Sequence, residues 1–171
     1  MNQKLQTMVE SAIMIALAIV LSFVTLWKMP QGGTVSLTML PLFVLSFRRG
    51  PVAGIVSGVI YGAISIIFDG VIYHPMSILL DYTLAYGVLG VAGFFKKNYL
   101  GIILGTIVGT ALRYICSLIS GAVLFAEYAP EGMNPWIYSL GYNATYMIPE
   151  LVICIIALAA LYAGSKKLFR A

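Results

Sequence analysis

Six apolar segments, separated by short polar or Gly- and Pro-containing breaks, dominate this sequence. They cover residues 8–27, 35–47, 51–68, 75–95, 99–126 and 142–164. A helix rises 1.5 Å per residue, so about 20 apolar residues cross the roughly 30 Å hydrocarbon core of a bilayer. The period-two alternation that is typical of membrane barrel strands is absent. We therefore predict an all-α integral membrane bundle of six transmembrane helices, forming a single domain over residues 1–171.

The charge distribution predicts how this bundle is oriented. With 61% hydrophobic and 9% charged residues, the chain has too little polar surface for a soluble globule. One set of helix ends carries eight basic residues, namely Lys4, Arg48, Arg49, Lys96, Lys97, Lys166, Lys167 and Arg170. The opposite ends carry Lys28 alongside Asp69, His74, Glu127 and Glu131. The positive-inside rule then predicts cytoplasmic N and C termini, so the net charge of +4 reflects topology rather than nucleic-acid binding.

The second apolar segment and the break before it are unusual for a membrane protein. Residues 35–47 are too few to cross the bilayer comfortably, so this segment must tilt, sit off centre or line a cavity. The preceding stretch, MPQGGTVS, lies on the external side and contains two glycines that allow a hinge. It is either a lid over a cavity or a plain tight loop.

Asp81, Arg113 and Glu150 are ionisable residues within the interior of the apolar segments. Asp81 lies in the outer third of the fourth segment, Arg113 deep in the fifth and Glu150 in the sixth. Each costs about 2.5 to 3.5 kcal/mol at the centre of an inserted helix, so such residues usually pair with one another or serve a function. For Arg113 we favour a structural ion pair with Glu150 or Asp81.

Polar and aromatic residues also share faces of the last two segments. At 100° per residue, the fifth segment presents Tyr114, Ser117, Gly121 and Phe125 within about 80° of arc, and the sixth presents Tyr142, Asn143, Tyr146 and Glu150. The external loop before the sixth segment adds Tyr128, Trp136 and Tyr138. Together with the carboxylate of Asp81 and the amide of Asn143, these faces predict an outward cavity. Such a cavity suits a flat ligand that is cationic or rich in hydrogen-bond donors.

Sequence motifs for catalysis and for metal binding are missing. The chain has neither a G-x-x-x-x-G-K-[ST] phosphate loop nor a G-x-S-x-G nucleophile motif, and it has one histidine. Cys116 and Cys154 lie in apolar segments without metal-ligand spacing, and we interpret them as small packing residues. We expect a binding protein that is not an enzyme, has no cofactor or metal, and has no energy source of its own.

Four stretches together resemble one family of membrane proteins. They are MPQGGTVSLTMLP, HPMSILLDYTLAYGVLG, LRYICSLISGAVLF and YAPEGMNPWIYSLGYNATYMIPE. They resemble the thiamine-specific substrate-binding subunits, the ThiT or YuaJ family, of energy-coupling factor (ECF) transporters. The resemblance implies six helices in a bacterial plasma membrane and an outward-facing vitamin pocket gated by the first external loop. It also implies docking onto a membrane coupling subunit that carries two cytoplasmic ATPase subunits.

The resemblance also implies roles for individual residues. Asp81 matches an acidic residue near the cationic part of the vitamin, and Gln31 falls in the gate. The remaining candidate contacts are Tyr82, Tyr114, Ser117, Gly121, Phe125, Trp136, Tyr138 and Asn143, of which Phe125 stands at a stacking position where tryptophan can occur. Ala12 and Ala16 match an A-x-x-x-A motif that contacts the coupling subunit, and small residues four apart allow close helix approach.

One candidate position departs from the family pattern. Ser117 stands where a histidine is usual, so we expect the substitution Ser117→His to tighten thiamine binding. The leading hypothesis is thiamine uptake with ECF partners. The alternatives are the same architecture binding a thiamine precursor or another cationic pyrimidine, and a stand-alone carrier that moves protons through Asp81 and Glu150. An intramembrane hydrolase, for which no catalytic pair is visible, ranks last.

Overall fold

The structure, a computed structural model, describes residues 2–69 and 74–169, apart from the side chain of Asp69. The helices are α1 (Gln3–Ser22), α2 (Met39–Arg49), α3 (Pro51–Asp69), α4 (Pro75–Phe94), α5 (Tyr99–Val123) and α6 (Pro135–Gly164). Strands β1 (Thr25–Lys28) and β2 (Thr34–Ser36) form an antiparallel hairpin between α1 and α2. Two of the charged residues used above to predict topology, Arg170 and the side chain of Asp69, lie outside the described part.

The predicted six-helix membrane bundle is confirmed. Five of the helices are long and apolar enough to cross a membrane, and the exception is α2. With 11 residues, α2 is about 16 Å long. It lies in the centre of the bundle, where side chains such as Phe43, Leu45 and Phe47 are fully buried. A helix that contacts protein on all sides does not need the length that a lipid-facing helix needs.

Several contacts gather the basic helix ends at one end of the bundle. The Arg48 guanidinium, in the last turn of α2, donates to the carbonyl oxygens of Lys167 (3.0 Å) and Leu168 (3.2 Å) beyond α6. The Tyr162 hydroxyl of α6 donates to the carbonyl oxygen of Lys97, directly before α5 (3.3 Å). Both described chain ends therefore lie at this basic end, and the side of the membrane that it faces stays a prediction.

Several helix boundaries differ from those that hydropathy indicates, and two of these differences affect the hairpin and the start of the last helix. The first apolar segment extends to residue 27, but α1 ends at Ser22 and the rest of the segment enters β1. The β-branched Val24 and Thr25 favour an extended backbone, and Thr25 pairs with Ser36 of the partner strand. The last helix begins at Pro135 rather than near residue 142, because Asn134 caps its first turn and proline is favoured there. Trp136 and Tyr138, expected in a loop, are thus helical.

Helix α4 is irregular, and it packs closely against α3. Its second and third turns, Ile78–Leu84, form a wide π-helical stretch that contains Asp81. Gly54, Gly58 and Gly62 of α3 face the α4 backbone, where an added Cβ atom would meet Gly90, Tyr86 and Tyr82, respectively. The missing side chains allow the two helix backbones to touch, in the manner of small-residue seams in membranes.

Candidate functional site

A cavity of about 630 Å³ opens at the end of the bundle opposite the basic end. Its wall is formed by the hairpin and by residues of α3, α4, α5 and α6. Thr38, directly before α2, also lines it, so the cavity occupies the part of the bundle that the short central helix leaves open. The volume lies within the range of small-molecule sites.

Asp81 supplies the carboxylate of this cavity. It lies in the π-helical stretch of α4, and such stretches are common at functional sites because they displace a side chain from the regular helical path. The Ser120 hydroxyl of α5 donates to its Oδ2 atom (2.5 Å). Among the described residues, no basic side chain lies within 4.0 Å of the Asp81 carboxylate oxygens. The carboxylate is therefore available to a cationic ligand.

The second intramembrane carboxylate is instead paired within the protein. Glu150 Oε2 accepts a hydrogen bond from Arg113 Nη1 (2.9 Å), and the exposed fractions of the two residues are 1% and 7%. Arg113 also lies over the Tyr86 ring, 4.5 Å from its centroid, and donates to the Tyr86 hydroxyl (3.2 Å). The ion pair predicted from the sequence is confirmed, with Glu150 as the partner. It holds α5 to α6 at the cavity wall, which Arg113 also lines.

The α6 side of the cavity is aromatic. The rings of Tyr138 and Tyr142 have centroids 5.9 Å apart, and that of Tyr146 lies 6.3 Å beyond Tyr142. Asn143 is buried among them, where its Nδ2 donates to the Ser139 carbonyl oxygen (2.9 Å) and its Oδ1 accepts from the Tyr146 hydroxyl (2.5 Å). These internal hydrogen bonds fix the amide orientation in the wall.

The hairpin is fastened to this aromatic face. The Tyr142 hydroxyl donates to the Gly32 carbonyl oxygen (2.8 Å) and accepts from the Gln31 backbone N–H (2.9 Å), while the Tyr138 hydroxyl donates to Gln31 Oε1 (2.5 Å). Gly33, at φ 85°, lies so close to the Tyr146 ring that a Cβ atom would clash with it. The stretch between α1 and α2 therefore covers the cavity against α6, in the position of a lid.

Eight of the ten sequence-derived candidate contacts line the cavity. They are Gln31, Asp81, Tyr82, Ser117, Gly121, Phe125, Tyr138 and Asn143. Tyr114 lies outside the lining, packs beside Tyr146, and donates its hydroxyl to the Leu140 carbonyl oxygen (2.7 Å). Trp136 also lies outside it, in the first turn of α6, and is 48% exposed.

The cavity also has lining residues that the sequence analysis did not select. Tyr61 of α3 and Tyr86 of α4 are two of them, and they meet edge to face with centroids 4.6 Å apart. Tyr128, which the sequence analysis placed in the external loop, also lines the cavity and stacks on Phe125 at 6.0 Å. Tyr61 and Tyr86 could have been found from the sequence, because each lies in the middle of an apolar segment, away from the membrane interfaces where tyrosine is common. Within residues 2–69 and 74–169, no three His, Cys, Asp or Glu side chains are grouped as metal ligands.

Comparisons with known proteins agree on one family. The model of the family "Thiamine transporter protein (Thia_YuaJ)" matches residues 8–170. The chain is 39% identical to the thiamine transporter ThiT of Bacillus subtilis (strain 168), with 99% of this chain and 98% of that protein covered. It is 27% identical to ThiT of Lacticaseibacillus paracasei (98% and 92% covered). It is also similar to the solved structure of ThiT from Listeria monocytogenes, with a TM-score of 0.89, 26% identity, and 99% and 100% of the chains covered.

Proposed function

The chain belongs to the family of thiamine transporter proteins, and from this premise we propose that it binds thiamine in the lidded cavity and passes it inward with partner subunits. It is a multi-pass protein of the cell membrane. The observation that carries the proposal is the Asp81 carboxylate, which lies in an aromatic cavity without a basic partner among the described residues.

The chemistry of thiamine matches this arrangement. Thiamine joins a flat aminopyrimidine ring to a thiazolium ring that carries a fixed positive charge. Aromatic faces attract cations and stack on heterocycles, and a carboxylate in a low-dielectric cavity neutralises the charge. We assign the thiazolium to Asp81, and the flat rings to the aromatic wall that includes Phe125 and Tyr138.

The remaining lining residues then shape the cavity and close it. Gln31 and the hairpin cover the ligand from outside, while Ser117 and Gly121 keep part of the α5 wall small. Tyr114 acts as a positioning residue, because its hydroxyl ties α5 to the start of α6 at Leu140. The proposed process is binding and release, in which no bond of the vitamin is made or broken.

Inward delivery is assigned to an ECF module of one membrane coupling subunit and two cytoplasmic ATPase subunits. Ala12 and Ala16 are both exposed on α1, and only 11% of the most apolar window of that helix is buried within the chain. This face is free for a partner helix. A stand-alone proton carrier is less well supported. Glu150 forms an ion pair with Arg113, so a proton relay through these two carboxylates would depend on Asp81 without Glu150.

The substitution Asp81→Asn tests the proposal directly. It removes the charge, keeps the shape and keeps an acceptor for the Ser120 hydroxyl. We expect thiamine affinity to fall by about 2 kcal/mol, or about 30-fold, because one partner of a desolvated charge pair is lost. Isothermal titration calorimetry measures this in detergent.

Two controls make this result specific. Glu131→Gln removes the same charge from an exposed position before α6 and should leave the affinity unchanged. An uncharged pyrimidine analogue should bind wild type and Asp81→Asn alike. Unchanged thiamine affinity in Asp81→Asn would show that the carboxylate does not hold the cation.

A further inference from the structure

A second pocket lies at the basic end of the bundle, far from the thiamine cavity along the helix axes. It has a volume of about 380 Å³ and is lined by Gln3, Gln6, Thr7, Arg48, Arg49, Gly50 and Lys97. Three parts of the chain meet there: the start of α1, the end of α2 with Gly50 directly before α3, and the turn before α5. The proposed transport of thiamine uses none of these residues.

The α1 wall of this pocket is a polar stripe on an otherwise apolar helix. Gln3, Gln6, Thr7 and Glu10 are separated by three or four residues and so lie on one face of α1. The Glu10 carboxylate binds both arginines, with Arg48 Nε at 2.7 Å and Arg49 Nη2 at 2.6 Å. This stripe fixes the arginines at the pocket wall.

The pocket keeps a positive charge after this pairing. Glu10 neutralises one of the two guanidinium groups, and the Lys97 ammonium adds a further charge, held by a hydrogen bond to the Arg48 carbonyl oxygen (3.1 Å). Gly50 leads into the N-terminus of α3, where the first backbone N–H groups of the helix add positive potential. An anion with several acceptor oxygens fits these donors.

The surroundings of the pocket are apolar. On α1, Leu5 is 50% exposed, Met8 69% and Val9 43%, and Val52 at the start of α3 is 74% exposed. Because these residues begin membrane-spanning helices, their side chains lie where acyl chains meet headgroups. A ligand with a charged head and an apolar tail fits both the basic pocket and the apolar residues around it.

We propose that this pocket binds the phosphate group of an anionic phospholipid. Lys97, Arg49 and the α3 N-terminus contact the phosphate oxygens, Gln3 and Gln6 contact the polar headgroup, and the acyl chains lie along the exposed faces of α1 and α3. Basic pockets between helix ends are a known form of lipid recognition in membranes. The bound lipid bridges α1 to α3 and stabilises the bundle.

The test uses the purified full chain in detergent. Its thermal unfolding is followed while phosphatidylglycerol, phosphatidylcholine or inorganic phosphate is added, and native mass spectrometry counts bound lipids. We expect saturable stabilisation by phosphatidylglycerol and one retained molecule of it. Lys97→Gln should weaken this apparent affinity about five-fold, the effect of one basic group at a membrane surface.

Two further variants separate binding from folding. Gln6→Glu brings a negative charge to the pocket wall, and the Gln6 side chain takes part in none of the hydrogen bonds found among the described residues. Gln6→Glu should weaken phosphatidylglycerol binding, so the proposal can still be tested if Lys97→Gln fails to fold. Lys167→Gln removes the same charge as Lys97→Gln from the same end of the bundle but outside the pocket lining, and it should bind like wild type.

Three results would overturn the proposal. The first is equal stabilisation by phosphatidylcholine, which would indicate a general detergent or lipid effect. The second is stabilisation by inorganic phosphate equal to that by phosphatidylglycerol, which would indicate a site for a free anion. The third is a mutational pattern that does not follow the pocket: unchanged binding in Gln6→Glu would place the lipid elsewhere, and a loss in Lys167→Gln as large as in Lys97→Gln would indicate an effect of net surface charge.

Discussion

Ser117 is the cavity residue for which the sequence analysis predicted a departure from the family pattern. Its side chain lines the α5 wall and is 8% exposed. Ser117→His would add an aromatic ring beside the proposed ligand rings, and such a contact stabilises by about 0.5 to 1.5 kcal/mol. We expect thiamine to bind about three- to ten-fold more tightly, as measured by calorimetry.

A matched variant separates ring stacking from simple filling of space. Ser117→Asn adds volume and an amide without an aromatic ring, so it should gain less than Ser117→His. Equal or weaker thiamine binding in Ser117→His would contradict the prediction. A gain for a different cationic pyrimidine, without one for thiamine, would favour the alternative ligand class.

Angular arguments along α5 and α6 selected eight residues, and all of them except Tyr114 and Glu150 line the cavity. Asp81 and Ser117 line the cavity, as a buried charge and a polar face indicated. Tyr114 lies inside the 80° arc on α5 that the sequence indicated, but in the structure its hydroxyl donates to the Leu140 carbonyl oxygen instead. Residue spacing gives the direction of a Cα–Cβ bond, but a long side chain goes where its polar end finds a partner.

At the scale of elements, hydropathy predicted the six helices but could not predict where α1 ends and where α6 begins. A window of apolar residues does not distinguish the end of α1 from β1, because both contain large apolar side chains. The π-helical stretch around Asp81 was equally hidden, since it depends on packing against α3 rather than on local composition. The lid and the position of the carboxylate were therefore the least predictable parts of the site.

The contact between α3 and α4 depends on glycine, which is testable at Gly58. A Cβ atom there would meet the carbonyl oxygen of Tyr86, a backbone atom that cannot move aside without moving α4. We expect Gly58→Ala to destabilise the bundle by about 1 to 3 kcal/mol, the usual cost of overpacking. Since α4 carries Asp81, thiamine affinity should fall as well. Thermal unfolding and calorimetry measure the two effects.

Gly141→Ala is the matched control for this prediction. Gly141 is exposed on α6, and a Cβ atom there has nothing within 4 Å. The same chemical change should therefore leave thiamine binding intact and raise helix stability by up to about 1 kcal/mol. If Gly58→Ala behaves like Gly141→Ala, close backbone packing does not hold α4 in place.

On the scale of the whole molecule, the short α2 accounts for the shape of the bundle. It fills the basic half of the bundle with buried apolar side chains. It begins directly after Thr38, and the cavity occupies the space beyond that end of the helix. The sequence indicated that this segment was too short to span, but several placements satisfied that constraint. Only the packing of α2 among the other helices selects the central one.

The outer face of α1 provides the last prediction, because little of that helix is buried within the chain. Ala16→Leu places a larger side chain on the exposed A-x-x-x-A face and keeps a partner helix from approaching closely. We expect thiamine affinity of the purified protein to be unchanged and uptake into cells that contain the ECF module to be lost. Calorimetry and uptake of labelled thiamine separate the two steps.

The control for this experiment is Ala111→Leu, the same enlargement at an exposed position on α5. It should leave both binding and uptake intact, because α5 is not the proposed docking helix. Normal uptake by Ala16→Leu would exclude α1 as the docking face. Uptake into vesicles that hold only the purified chain and a proton gradient would contradict the partner-dependent mechanism, since Asp81 would then have to couple protons to transport.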